Sequence, residues 1–303
     1  MPLTDYVALV SLTSNVSTQA LLQVAAAVQK QLTRDFFPFW GLPATVAAFT
    51  DLGSVPSDYH VVALFGDPEE LVDRLEVAID PEVLRRLATQ FDRDQLQGVH
   101  LNEYTRQPFA LVALSETWSV TVSHEILEMV ADAYGSHLIA AGFPGDPIRR
   151  VNYLLEVCDP CQSAWYPVNG VPVSDFYTPR YFDPVRTDGT RYSFTGELRY
   201  PLHILDGGYV SFIDPRDSGL YQLQSGDAEP VLIADIASLA RGSQPLRNVV
   251  DSDPRTPRVT AESLRPATSA ATAPGAYAAM REASEGAALR TREALFSLAT
   301  ARG

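Results

Sequence analysis

The stretch Ser-Val-Thr-Val-Ser-His-Glu-Ile-Leu-Glu-Met-Val-Ala-Asp, residues 119–132, decides how the rest of this chain is read. Its apolar residues Ile126, Leu127, Met129 and Val130 predict a helix anchored in a core. His124 and Glu128 stand four residues apart, so a helix places them on one face, about 6 Å apart along its axis. Side chains at that spacing can close on one divalent cation, as two histidines do in His-Glu-x-x-His. Glutamate at the second position is an acceptable oxygen ligand that adds negative charge. Glu125, next to the first ligand, then occupies the place of a general base that takes a proton from water.

A three-ligand site needs one more group. The segment Leu155-Glu156-Val157-Cys158-Asp159 offers Glu156 and Asp159, about one returning strand after the helix. Asp132 lies two turns from His124, about 12 Å along a straight helix, too far for the same ion. It is placed to orient a ligand, to hold a second ion or to cap the helix end. His-Glu-x-x-Glu alone is common on exposed helices. Here it lies in an apolar helix followed by further acids, which would repel one another unless a cation compensated them.

Outward from this helix, the order of elements predicts an α+β fold. Strands are expected at Tyr6–Leu12, Thr45–Phe49, His60–Phe65, Gly98–Leu101 and Phe109–Ser115. A helix is expected over Thr18–Arg34, where Leu21, Leu22, Ala25 and Val28 recur at helical spacing behind Ser17 as N-cap. Asp67–Gln97 reads as a charged, helix-prone insertion. Asn152–Tyr221 reads as a smaller β-rich subdomain, with short strands at Tyr153–Val157, Tyr166–Val173 and Tyr192–Tyr200 separated by turns. Beyond Arg241 the chain turns Pro-, Ser-, Thr- and Ala-rich, a composition that reads as linker. The expected organisation is a body over residues 1–240 (sheet and site helix 1–150, β-rich part 151–240), a flexible linker over 241–275 and a C-terminal helix over 276–303. Tyr277, Met280, Leu295 and Leu298 give that last helix a weak apolar stripe suited to docking on a partner or to self-association.

Composition narrows the function. With 303 residues and 46% hydrophobic content the chain can bury a sizeable core. A net charge of −14 argues against nucleic acid, whose phosphates would be repelled. No stretch approaches the roughly 20 apolar residues of a membrane span, and the amino terminus lacks the pattern of a secretory signal, so a cytoplasmic location is expected. Cys158 and Cys161 form a Cys-x-x-Cys without a second Cys/His pair, which favours reduced thiols over a redox or zinc role. His60, His100, His137 and His203 lack metal spacing to one another. His203 and Tyr200 could reach a cleft as acid or oxyanion donor, as could Tyr177 or Tyr181, but all read first as packing residues. Asp175 reads as a turn acceptor and Trp118 as packing.

The pattern S-H-E-x-x-E-x-x-x-D followed by E-x-x-D, here Ser123–Asp132 and Glu156–Asp159, resembles that of zincin-like metallopeptidases. A looser version resembles the phosphate-induced, Exordium-like proteins. A group of bacterial proteins is similar at Arg34–Phe36, Trp40–Gly41, Gln107–Val112, Val168–Val171, Val173–Pro179 and Tyr192–Gly196, so the resemblance covers residues 5–222 and not the tail. It implies a zincin-like fold, a mixed β-sheet over an active-site helix, without a settled substrate. The His124, Glu125 and Glu128 constellation itself leads us to expect a zinc-dependent hydrolase acting on peptide or protein. Many members have Asp-Pro after the helix, whereas Ala133 follows Asp132 here. The alternative is a non-catalytic protein of a larger assembly whose metal only holds the fold.

Overall fold

The computed structural model describes residues 5–68, 98–101, 108–239 and 245–268, with Leu71, Leu75, Arg85 and Thr89 between the first two spans. The insertion 67–97 lies mostly outside these residues, and the expected helix 276–303 lies wholly outside them.

The fold is mixed α/β, with three sheets among the described residues. The first has the order β2-β1-β3-β5-β4, from β1 (Asp5–Ser11), β2 (Ala44–Phe49), β3 (His60–Phe65), β4 (Gly98–Leu101) and β5 (Phe109–Ala113). Its pairs are parallel except for β4 with β5. The strands read as continuous apolar runs because both faces are covered. Val7, Leu9, Val62, Leu64, Ala110 and Val112 enter the main core, while Ala8, Val10, Ala63, Phe65, Phe109 and Leu111 enter a second core on the opposite face. Helix α1 (Thr18–Lys30) packs on the main-core face, and the Ser17 hydroxyl caps it by accepting from Ala20 N. The expected Thr18–Arg34 helix continues as a π-helical turn, Gln31–Phe36.

The site helix, Trp118–Ala131, lies in the same core, with Val122, Ile126, Leu127 and Met129 fully buried. Under it runs the hairpin of β8 (Ala164–Val168) and β9 (Val171–Ser174). The two-residue turn is Asn169-Gly170, both at positive φ, the conformation that matches strand twist. It splits what the alternation suggested was a single β-prone run. Ser123 Oγ accepts the Ser174 amide at 2.7 Å, and Ser119 Oγ donates to Pro172 O at 2.9 Å, which fixes the helix on the hairpin.

The remaining strands form an antiparallel sheet, β12-β11-β10-β7-β6, from β6 (Leu138–Phe143), β7 (Asp146–Leu154), β10 (Tyr209–Asp214), β11 (Gly219–Gln224) and β12 (Val231–Asp235). Two expectations fail here. Tyr192–Tyr200 makes no strand, only an isolated bridge between Tyr177 and Ser193, because its polar groups turn inward onto Asp175, which accepts from Thr195 N and Oγ1. The segment after Arg241 is also not linker throughout. Leu246–Asp251 is a short helix with Arg247, Asn248 and Val250 buried. Arg265–Pro266, strand β13, then adds in parallel to β8. Composition did not reveal that specific hydrogen bonds and one buried ion pair would hold a segment with few apolar residues.

Candidate metal centre

The cavity at the site is lined from five places in the sequence. The helix presents His124, Glu125 and Glu128 toward a small cavity, as the i, i+4 spacing requires. After β7, the chain turns at Leu155, whose amide donates to His137 O, and enters a 3-10 turn at Asp159–Cys161 that brings Asp159 over the helix. Gly208 allows this approach. A Cβ at that position would stand 2.6 Å from Pro160 O and 2.9 Å from Asp159 O.

His124 Nε2 lies 3.4 Å from Glu128 Oε2 and 3.4 Å from Asp159 Oδ1. One donor atom from each of the three residues lies within 4.8 Å of the others, so the group could hold a metal ion. The donors of a tetrahedral centre with bonds of about 2.0–2.2 Å lie about 3.4 Å apart, so the His124–Glu128 and His124–Asp159 separations fit such an ion. The Cys158 amide donates to Glu128 Oε1 at 3.1 Å, which leaves Oε2 facing His124. Glu128 and Asp159 are buried, and the His124 side chain is only 13% exposed.

Electrostatics agree with a site built for positive charge. Burial works to lower the His124 pKa, but Glu128 and Asp159 outweigh it and hold it well above the usual value. Burial pushes the Glu125 carboxyl up to about 8, with His124 opposing and Glu128 and Asp251 adding to the rise. Burial likewise pushes Asp251 up to about 7, against Arg247.

Glu156 does not join His124, Glu128 and Asp159. Arg247 Nε donates to its Oε1 at 2.7 Å, and Arg247 Nη2 stands 2.5 Å from Oε2, with both residues buried. The acidic cluster therefore does have a basic partner, which arrives from a segment expected to be linker. Asp132 stands at the helix end, its amide donating to Glu128 O at 2.7 Å, and its Oδ2 holds the following loop by accepting the His137 amide at 2.6 Å.

Glu125 is 7% exposed and lines the cavity. Gly98 on the edge strand β4 is pressed against it. A Cβ there would collide with Glu125 Oε1 and stand 2.8 Å from Thr121 Cγ2. Sequence reading singled out neither Gly98 nor Tyr209, Asp251 and Arg258, which also line the cavity. The glycine alone left a trace, as the first residue of the expected strand Gly98–Leu101.

The other candidates lie elsewhere. His203 Nδ1 accepts the Arg199 amide at 3.1 Å and its ring stacks on Tyr200, away from the cavity lining. Tyr177 and Tyr181 are fully buried, stacked with centroids 4.5 Å apart, and do not line the cavity. Cys158 and Cys161 are free and fully buried, and burial raises both thiol pKa values, which leaves them little thiolate. Among the described residues no helix is long and apolar enough to cross a membrane.

No protein-family model, curated protein or solved structure matches this chain.

Proposed function

We propose that the chain is a metal-dependent hydrolase of the zincin-like kind, acting on peptide bonds, with His124, Glu128 and Asp159 as ligands and Glu125 as general base. The observation that carries this reading is the placement of Glu125 in the same cavity as the three converging donors. A site that only held the fold together would not need a further buried carboxylate there. The mixed sheet beside the site helix also supports it. Zinc is the preferred ion, since one imidazole and two carboxylates are within its usual donor set. When bound, the ion supplies a Lewis acid. Glu125 takes a proton from the attacking water and returns it to the leaving amine, and the Gly98 backbone keeps its carboxylate directed into the cavity.

The second reading is a metal-stabilised protein without catalysis, and the size of the cavity favours it. About 60 Å³ holds a few waters but not a peptide. Glu125→Gln separates the two. The variant should bind zinc like the wild type and lose roughly 100- to 10,000-fold in cleavage of a diverse peptide library. A zinc-loaded wild type that cleaves nothing, or a variant that cleaves equally well, sinks the hydrolase reading.

A further inference from the structure

The chain's own later segment forms one wall of the cavity. Its lining includes Asp251, Pro257, Arg258 and Val259, from the segment that follows the antiparallel sheet. This segment has two halves held in different ways. From Leu246 to Thr256 it is built into the body. Arg247, Asn248, Val250 and Thr256 are buried, the Arg247 amide donates to Gly135 O, and Thr256 Oγ1 accepts from Gln222 and donates to Val250 O.

From Pro257 to Thr268 no residue is buried. This second half begins at the cavity, which Pro257, Arg258 and Val259 line. It is fastened there by Arg258 Nη2 donating to Asp251 O at 2.6 Å, and at its far end by further polar contacts. The Arg265 and Ala267 amides donate to Ser163 O and Trp165 O, each at 2.8 Å, and Thr268 donates twice to Glu197 Oε1. Ala261 and Glu262, midway, are exposed.

We propose that residues 257–268 are a detachable strap that keeps molecules larger than water off the metal site, so that the folded chain is latent until the strap leaves. A cover held by an exposed two-residue strand and a few hydrogen bonds opens at far lower cost than a core element. This inference rests on the metal-site reading given above, and it resolves the conflict between a catalytic constellation and a cavity too small for a peptide.

The test uses the full chain with a recognition site for a sequence-specific protease inserted between Ala261 and Glu262, loaded with zinc. Zinc transfer to a chromogenic chelator is followed before and after cutting, along with cleavage of a peptide library. Release of the fragment with chelation at least tenfold faster is the expected result. Faster chelation without peptide cleavage supports the strap and sinks the hydrolase reading. A fragment that stays bound, or unchanged chelation after its release, overturns the strap.

Hydrogen exchange on the uncut wild type decides the matter independently of metal and of the variant's folding. The Arg265 and Ala267 amides should exchange at least 100-fold faster than those of β10 and β11. Exchange at the same rate as those strands overturns the inference.

Discussion

Arg247 and Glu156, 91 residues apart in sequence, form a two-pronged ion pair in which both side chains are almost fully withdrawn from water. The pair joins the segment after the antiparallel sheet to the turn that carries Asp159. Breaking a buried pair by removing one partner costs more than the pair itself contributes, because the remaining charge is left uncompensated. Arg247→Ala should therefore destabilise the protein by about 3–5 kcal/mol. Deleting residues 242–303 should lower the melting temperature comparably, contrary to what their composition suggests. Thermal unfolding of both variants checks this, and a shift of less than about 2 °C in either would refute it.

The three donors around His124 should bind one zinc per chain. At 100 times Kd, zinc should stabilise the fold by about 2.7 kcal/mol, and a chelator should reverse the gain. Asp159→Ala should weaken binding by more than the roughly 10- to 100-fold that loss of an outer-shell partner costs, whereas Glu156→Gln should stay within that range. Calorimetric titration distinguishes the two. Equal losses would mean that Glu156 is a ligand.

Gly98 leaves no room for a side chain beside Glu125. Gly98→Ala should cost about 1–3 kcal/mol through overpacking and displace the Glu125 carboxylate. Zinc stoichiometry should be unchanged while any peptide cleavage falls at least tenfold. A variant that keeps wild-type stability and turnover would show that the edge strand yields freely.

Asp175 gives a pH dependence of known sign. Burial pushes its carboxyl up to about 6 from 3.8, despite the hydrogen bonds from Thr195. Between those values the folded state holds a proton that the unfolded state has lost, so stability falls as pH rises from about 4 to about 6 and then levels off. Two pKa units correspond to about 3 kcal/mol. Asp175→Asn should remove that part of the slope, seen as the difference between wild-type and variant denaturation midpoints at pH 4 and pH 7. Parallel curves would contradict the assignment.

Local chemistry alone determined a good deal of this protein. The apolar runs of β1, β3 and β5 and the helical spacing of α1 were legible because each depends on near neighbours. So was the shared face of His124 and Glu128, since a helix enforces it whatever surrounds it. Tertiary structure alone decided which later acid reaches that face. Glu156 and Asp159 were equivalent candidates by spacing, and the 3-10 turn after β7 directs one to His124 while the other turns to Arg247. That guanidinium lies in a segment whose composition suggested a linker. The burial of that segment depends on Glu156 against Arg247, on Gly135 O accepting the Arg247 amide and on Gln222 bonding Thr256, all far away in sequence. The covered cavity belongs to the same class of feature. It depends on backbone and side-chain hydrogen bonds between distant segments and on one glycine's missing side chain, and such contacts have no periodicity for a sequence to display.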